Sequence, residues 1–206
     1  MTATRVDFTS YIDQAGYELI PDRTPRLRPG QTLLDLKGSD IRPARIVGKG
    51  GKILRRRLDN YPRLFSDFAG IKTQEELLAF VAAHGPLTQR TIGGREGDVV
   101  PMLLHQAKMM RTSFKDRARK LPIAIPMTNV RASLGPNNSI KYYPVTLLDA
   151  LWLQFAQTLS EGAEMRECRR CRKPFAVGGK SGKRIVAEFC SDEHRIEFNS
   201  LKRSRK

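Results

Sequence analysis

"ECRRCRKPFAVGGKSGKRIVAEFCSDEHRIEFNSLKRSRK", Glu167 to Lys206, holds all three cysteines of the chain and one of its three histidines. Cys168 and Cys171 form a C-x2-C pair. Cys190 and His194 form a C-x3-H pair, and eighteen residues separate the two pairs. Zinc takes four soft or borderline ligands in a tetrahedron, and Cys3His is a common structural set. A C-x2-C turn aims two thiolates at one ion from a tight knuckle. Cys190 and His194 stand at an i, i+4 spacing, which on a helix puts both side chains on one face. Between the pairs, "GGKSGKR" reads as a turn joining two strands. Phe175 and Phe189 are placed to form a small core beside the metal. The expected arrangement is a treble clef: knuckle, hairpin, then a helix whose first turn carries the second ligand pair.

Other readings of the cysteines compete with zinc. A disulfide would leave one of three thiols over, and a reducing compartment disfavours it. A redox C-x-x-C normally follows a strand in a βαβ setting, which the surrounding pattern lacks. Isolated structural thiols are the third possibility. The convergence of every cysteine on one four-ligand spacing favours a single zinc ion, Zn2+. No coordination position is left open, so the ion reads as structural.

Charge extends the argument outward. The chain of 206 residues carries a net charge of +16. Residues 166–206 contain thirteen Lys/Arg against five Asp/Glu, half of that surplus. A balance of this kind favours polyanionic partners, nucleic acid before anionic membrane. Arg169, Arg170 and Arg172 surround the first cysteine pair. Arg195, Lys202, Arg203, Arg205 and Lys206 follow the second. Cations also suit the C-terminus of a helix, so a solvated basic tail competes with a phosphate footprint.

Upstream, residues 1–165 read as an α+β body. "YELIP" and "ARIV" are strand-like segments among Pro and Gly. Thr73 with Glu76 forms a capping box that opens a helix, and Gly85-Pro86 closes it. A second helix is expected from about Val99 to Arg119, with Val99, Leu103, Ala107, Met110 and Phe114 at helical spacing. Two strands should flank the Gly-Pro-Asn-Asn turn at 135–138. Thr146 with Asp149 opens a third helix, on which Leu148, Leu151, Trp152, Phe155 and Leu159 line a core face. The fold class expected is α+β: a mixed body with at least three helices and short strands, then a small finger over 166–206.

The C-terminal motifs support a resemblance. C-x2-C-x3-F leading to "FCS" and a basic helix resembles the CGNR-like treble-clef zinc fingers of proteobacteria. The ending "CSDEHRIEFNSLKRSRK" is similar to relatives in which a cysteine stands where this chain has His194. The CGNR tetrapeptide itself is not present. "YPRLFSDFAG", "TQEELLAFVAAHGPLT" and "LLDALWLQFAQ" resemble the helical, stress-associated N-terminal body that precedes such fingers. The resemblance spans about residues 60–206 and implies a nucleic-acid-binding, regulatory protein, with no established enzyme activity to carry over.

One further motif lies in the basic loop at 42–57, "VGKGGKIL". Gly48-Lys49-Gly50-Gly51 has the letters of the loop that clamps nucleic-acid backbone in the KH module. Its setting differs, since Pro43 stands where a helix should be and Tyr61-Pro62 stops the next one. A P-loop would need Ser or Thr after Gly51-Lys52, where Ile53 stands. A basic loop or hairpin turn is the better reading, with Lys49, Lys52 and Arg55 as a second phosphate-contacting patch.

The function expected is a zinc-finger nucleic-acid-binding protein, DNA ahead of RNA, acting in regulation. The alternative is a protein-interaction module, antitoxin-like or adaptor, in which the finger is only a scaffold. An enzyme is not expected. His84 and His105 belong to no Ser-His-Asp, paired-carboxylate or open-metal constellation. The longest apolar run is far below the ~18 residues that a membrane span needs. "MTATRVDFTSYID" lacks an apolar signal core, so a cytoplasmic setting and no membrane partner are expected.

Overall fold

The computed structural model describes residues 8–21, 44–57, 61, 63–88, 97–118, 125–126, 129–134, 140–179 and 182–204. Its elements are mixed α and β, as the sequence implies. Among the described residues there are nine short strands and five helices.

The first four strands are β1 (Thr9–Asp13), β2 (Tyr17–Pro21), β3 (Ala44–Gly48) and β4 (Ile53–Arg57). "YELIP" and "ARIV" are strands as read, and they pair with each other. β1 pairs antiparallel with β4, from Thr9↔Arg57 to Asp13↔Ile53. β2 pairs antiparallel with β3, from Tyr17↔Gly48 to Pro21↔Ala44. The four therefore form one long bent ribbon, with 14–16 facing 49–52 at the bend. β3 also pairs with the two-residue β5 (Asp98–Val99).

Gly48–Gly51 is thus neither a hairpin turn nor a KH loop, because β3 and β4 do not pair with one another. It is one side of the bend, and the Asp13 carboxylate fills it. That carboxylate accepts from the amides of Gly50 at 2.7 Å, Gly51 at 2.8 Å and Ala15 at 2.9 Å. Gly50 has φ +83°, and a Cβ on Gly51 would lie 2.5 Å from the Ala15 nitrogen. Both positions therefore need glycine. Burial alone would raise the Asp13 carboxyl, but the amides of Gly50, Ala15, Gly51 and Lys49 outweigh it and hold it below its ordinary value.

The helices are α1 (Leu64–Ala69), α2 (Gln74–His84), α3 (Val100–Ala118), α4 (Leu147–Ser160) and α5 (Asp192–Arg203). α2 begins at Thr73 with the full capping box, and Gly85 follows its last residue. α4 begins at Thr146, whose hydroxyl accepts from the Asp149 amide. Leu103, Ala107 and Met110 of α3 are fully buried, as their spacing implies. Val99 lies just before the helix on β5, and the Phe114 side chain lies outside the described residues.

α4 departs from the expected one-sided stripe. Leu147, Ala150, Leu153, Gln154 and Thr158 are buried along with Leu151, Trp152, Phe155 and Leu159, while Leu148 is only half-buried. The helix has neighbours on several sides. Trp152 Nε1 donates to Gln106 of α3 at 3.0 Å, and Gln154 donates to the Tyr61 carbonyl at 3.1 Å. Phe65 of α1 meets the Phe155 ring at 5.9 Å. A helix enclosed in this way buries more than one face.

β6 (Val130–Leu134) and β7 (Ile140–Pro144) form the expected hairpin, with its turn at 135–139 outside the described residues. Most of both strands is exposed, so the hairpin projects from the body. β8 (Glu164–Glu167) and β9 (Pro174–Val177) pair across the cysteine knuckle. β8 separates α4 from the cysteine knuckle. The expected boundary between 165 and 166 falls inside this strand. Met165 packs on the main core, whereas Cys168 belongs to a separate small cluster.

Candidate metal centre

The knuckle is built from backbone outward. The Cys168 amide donates to the Lys173 carbonyl at 3.0 Å, and the Arg172 amide donates back to the Cys168 carbonyl at 2.9 Å. This closes a tight loop that presents Cys168 and Cys171 together. The loop places Arg172 at φ +61°, the one non-glycine with positive φ among the described residues. An L-residue there costs roughly 1–2 kcal/mol relative to the right-handed basin.

The second pair arrives from α5. Ser191 caps the helix, and its hydroxyl accepts from the His194 amide at 3.2 Å. His194 therefore sits in the first turn with its ring turned back toward the knuckle. Cys190 does not share a helix face with it, contrary to the i, i+4 expectation. Ser191 is extended, with φ −147° and ψ 165°, so Cys190 lies before the helix begins. A thiolate from the approach and an imidazole from the first turn still meet.

The ligand atoms of Cys168, Cys171, Cys190 and His194 all lie within 4.8 Å of one another. Cys171 Sγ and Cys190 Sγ are 3.7 Å apart, and Cys168 Sγ and His194 Nδ1 are 3.8 Å apart. A tetrahedron with zinc–sulfur bonds of about 2.3 Å has sulfur–sulfur edges of about 3.8 Å. The Cys190–His194 edge, at 2.9 Å, is shorter than such an edge. The four residues can hold one metal ion, and their soft donor set suits zinc.

The local field separates the thiols. Burial works against a Cys168 thiolate, but the amides of Cys171, Cys190 and Arg170, with the Cys171 side chain, bring it down to about 6. Burial, then the Cys171 and Cys168 sulfurs, push Cys190 up to about 12. A cation between Cys168 and Cys190 would favour both thiolates.

Phe175 and Val177 are buried beside Cys168, with Phe189, Ala187 and the other two cysteines packed against them. The expected Phe175–Phe189 core is therefore present. Phe198, which the sequence reading missed, extends it with its ring 5.3 Å from that of Phe189. Among the described residues after "GGKSGKR" no second strand forms. Only an isolated bridge joins Lys183 to Val177, and the hairpin of the finger is β8–β9 instead.

The basic residues are distributed unevenly. Arg169 pairs with Glu188 at 2.9 Å, Arg170 with Glu197 at 3.1 Å and Arg195 with Asp192 at 3.3 Å. Exposed pairs of this kind contribute ~0–1 kcal/mol each and exchange readily for other anions. The Arg170–Glu197 pair joins the knuckle to α5. Arg172 is exposed on the knuckle, and Lys202 and Arg203 are exposed in the last turn of α5. Arg205 and Lys206 lie outside the described residues. Lys49 and Lys52 are exposed at the ribbon bend, away from the knuckle in sequence. Arg55 lies over the Tyr11 ring, 5.8 Å from its centroid.

The remaining histidines do not join the centre. His84 is half-buried at the end of α2 against Phe80 and Tyr61, where burial and then Arg56 lower its pKa. His105 is exposed on α3.

No protein-family model, curated protein or solved structure matches the chain. Among the described residues no helix is long and apolar enough to cross a membrane.

Proposed function

We propose that this chain is a zinc-finger protein that binds nucleic acid, DNA ahead of RNA, in a regulatory role. The observation that carries the reading is the convergence of four ligand atoms at the base of a helix with a basic, exposed far end. A zinc ion bound by Cys168, Cys171, Cys190 and His194 would cross-link the knuckle to the start of α5. Ser191 orients His194, and Lys202 and Arg203 sit about two turns beyond it. The likeness to CGNR-like fingers points the same way.

The test is a salt titration of DNA retention by the zinc-loaded full chain. Five phosphate contacts give a log–log slope of about −4 to −5 on duplex DNA. The Lys202→Glu/Arg203→Glu variant should reduce the magnitude of that slope by about 2 and weaken binding on every sequence alike. An unchanged slope would remove α5 from the interface.

A second reading has its own observation. Ile185, Val186, Ile196 and Leu201 of the finger expose 56, 75, 63 and 48% of their surface. Side chains of this type suit a protein adaptor, for which the finger is scaffold. Stoichiometric zinc with no salt-dependent retention of nucleic acid would favour that role.

A further inference from the structure

A cleft of about 360 Å3 lies between β1 and the projecting β6–β7 hairpin. Phe8, Thr9 and Tyr11 line one wall, and Arg131 and Tyr143 line the other. Strand register explains the composition. Tyr11 stands directly across from Arg55, and Arg131 directly across from Tyr143. Arg131 and Tyr143 both line the cleft, whereas Arg55 stands outside the lining with its guanidinium over the Tyr11 ring.

Strand alternation keeps these pairs out of the core. Ser10 borders the cleft, but its side chain is buried and its hydroxyl donates to the Arg56 carbonyl at 3.3 Å, while the Arg56 guanidinium donates to the Ala83 carbonyl at 2.6 Å. Tyr11 and Tyr143 are exposed at 37% and 40%. The lining contains no carboxylate. Two tyrosines and Arg131 thus face one gap with no acidic partner in the lining.

We infer that this cleft binds a nucleotide, with the base against Tyr143 and Tyr11 and the phosphate on Arg131. Tyrosine rings stack on any base, because every base has a π-face. Arginine presents a planar fork of donors that matches phosphate oxygens. The volume is at the lower end for small-molecule sites, which suits one nucleotide and not a duplex. The same chemistry is offered by a free mononucleotide and by one unpaired residue of a single strand. The inference stands apart from the finger and uses none of its residues.

The experiment measures binding of adenosine monophosphate and of an eight-residue single-stranded oligothymidine to the zinc-loaded full chain. Tyr143→Ala and Arg131→Glu should each weaken binding by about tenfold, within the range expected for losing one stacked base or one phosphate contact. Tyr143→Phe, which keeps the ring and its packing, should bind within about twofold of the wild type. Binding of the mononucleotide identifies a nucleotide site, and binding of the octamer alone identifies a single-strand site. Failure of both probes to bind overturns the inference. So does wild-type affinity in both Tyr143→Ala and Arg131→Glu. The Lys202→Glu/Arg203→Glu variant separates this site from the finger. Octamer binding that is lost there and intact in the cleft variants overturns the cleft and supports the finger. The opposite pattern supports the cleft and removes the finger from single-strand contact.

Discussion

The body and the finger are stabilised by different means. In the body, Trp152, Phe65, Phe68, Phe155 and many aliphatic side chains form one continuous buried cluster. In the finger, the small cluster among the described residues buries Cys168, Phe175 and Val177, and α5 buries no residue. A twelve-residue helix held only by the half-buried His194 and Phe198 is marginal in water. Small units with so little core generally rely on a metal or disulfides. The contrast teaches that one chain can combine a fold driven by apolar burial with one that needs a ligand. Each should respond to a different perturbation.

The largest effect should come from the metal ligands. Structural zinc contributes roughly 10–16 kcal/mol to the folding of small finger peptides. In the Cys168→Ser/Cys190→Ser variant, elemental analysis should find no stoichiometric zinc. Circular dichroism should lose the α5 contribution while the body keeps its cooperative transition. Loss of the body transition as well would break the comparison. His194→Cys should retain zinc, whereas His194→Ala should bind it more weakly.

Next in size is the core of the body. Trp152→Ala removes a fully buried ring and its hydrogen bond to Gln106. The expected cost is about 3–5 kcal/mol in urea unfolding. Zinc content of the folded fraction should be unchanged. A variant that loses zinc in proportion to body stability would show the two regions to be one cooperative unit.

The two regions differ in how much of them could be read beforehand. The four candidate ligands, three cysteines and one histidine, stand at fixed offsets within one short stretch, so the group is legible in the sequence. Helix starts were legible for the same reason, since Thr73 with Glu76 and Thr146 with Asp149 lie within one turn. The ribbon was not, because Thr9 finds its partner at Arg57 and Tyr17 at Gly48. Pairing over such distances leaves no local mark. Asp13 was invisible for a related reason. A lone aspartate becomes informative only when Gly50 and Gly51 are brought to it. The same holds for Arg131 and Tyr143, whose register is set by the hairpin.

Asp13 supplies the next prediction. Its carboxylate is held below its ordinary pKa by backbone amides that outweigh burial. Its stability contribution is therefore complete above the unfolded value of 3.8 and lost as pH falls through the lower folded value. Asp13→Ala should cost about 1.5–3 kcal/mol at neutral pH, as hydrogen bonds to a charged group are removed. It should also flatten the dependence of body stability on pH below that value. An unchanged acid limb would mean that other carboxyls govern it.

The smallest expected effect sharpens the comparison from the finger side. Arg172 holds a left-handed backbone angle inside the knuckle. Arg172→Gly should stabilise the metal-loaded finger by under about 1 kcal/mol, since relief of strain is partly offset by the greater chain freedom of glycine. Thermal unfolding of the finger should rise slightly while the body transition stays fixed.

The anchors of α5 bear on how it can make contacts. His194, Glu197 and Phe198 all lie in its first two turns, and Lys202 and Arg203 overhang them. From Phe198 to Arg203 the axis runs about 7.5 Å at 1.5 Å per residue. Such an overhang behaves as a short cantilever: a tilt of about 10° at the fulcrum moves the tip by about 1.3 Å, from the same rise. A shift of that size breaks a hydrogen bond to a base edge, whose donor–acceptor window is only about 0.5 Å wide. It changes a charge attraction across several ångströms very little. For the proposed nucleic-acid contact, an overhang of this length would suit attraction to a charged backbone better than readout of base edges.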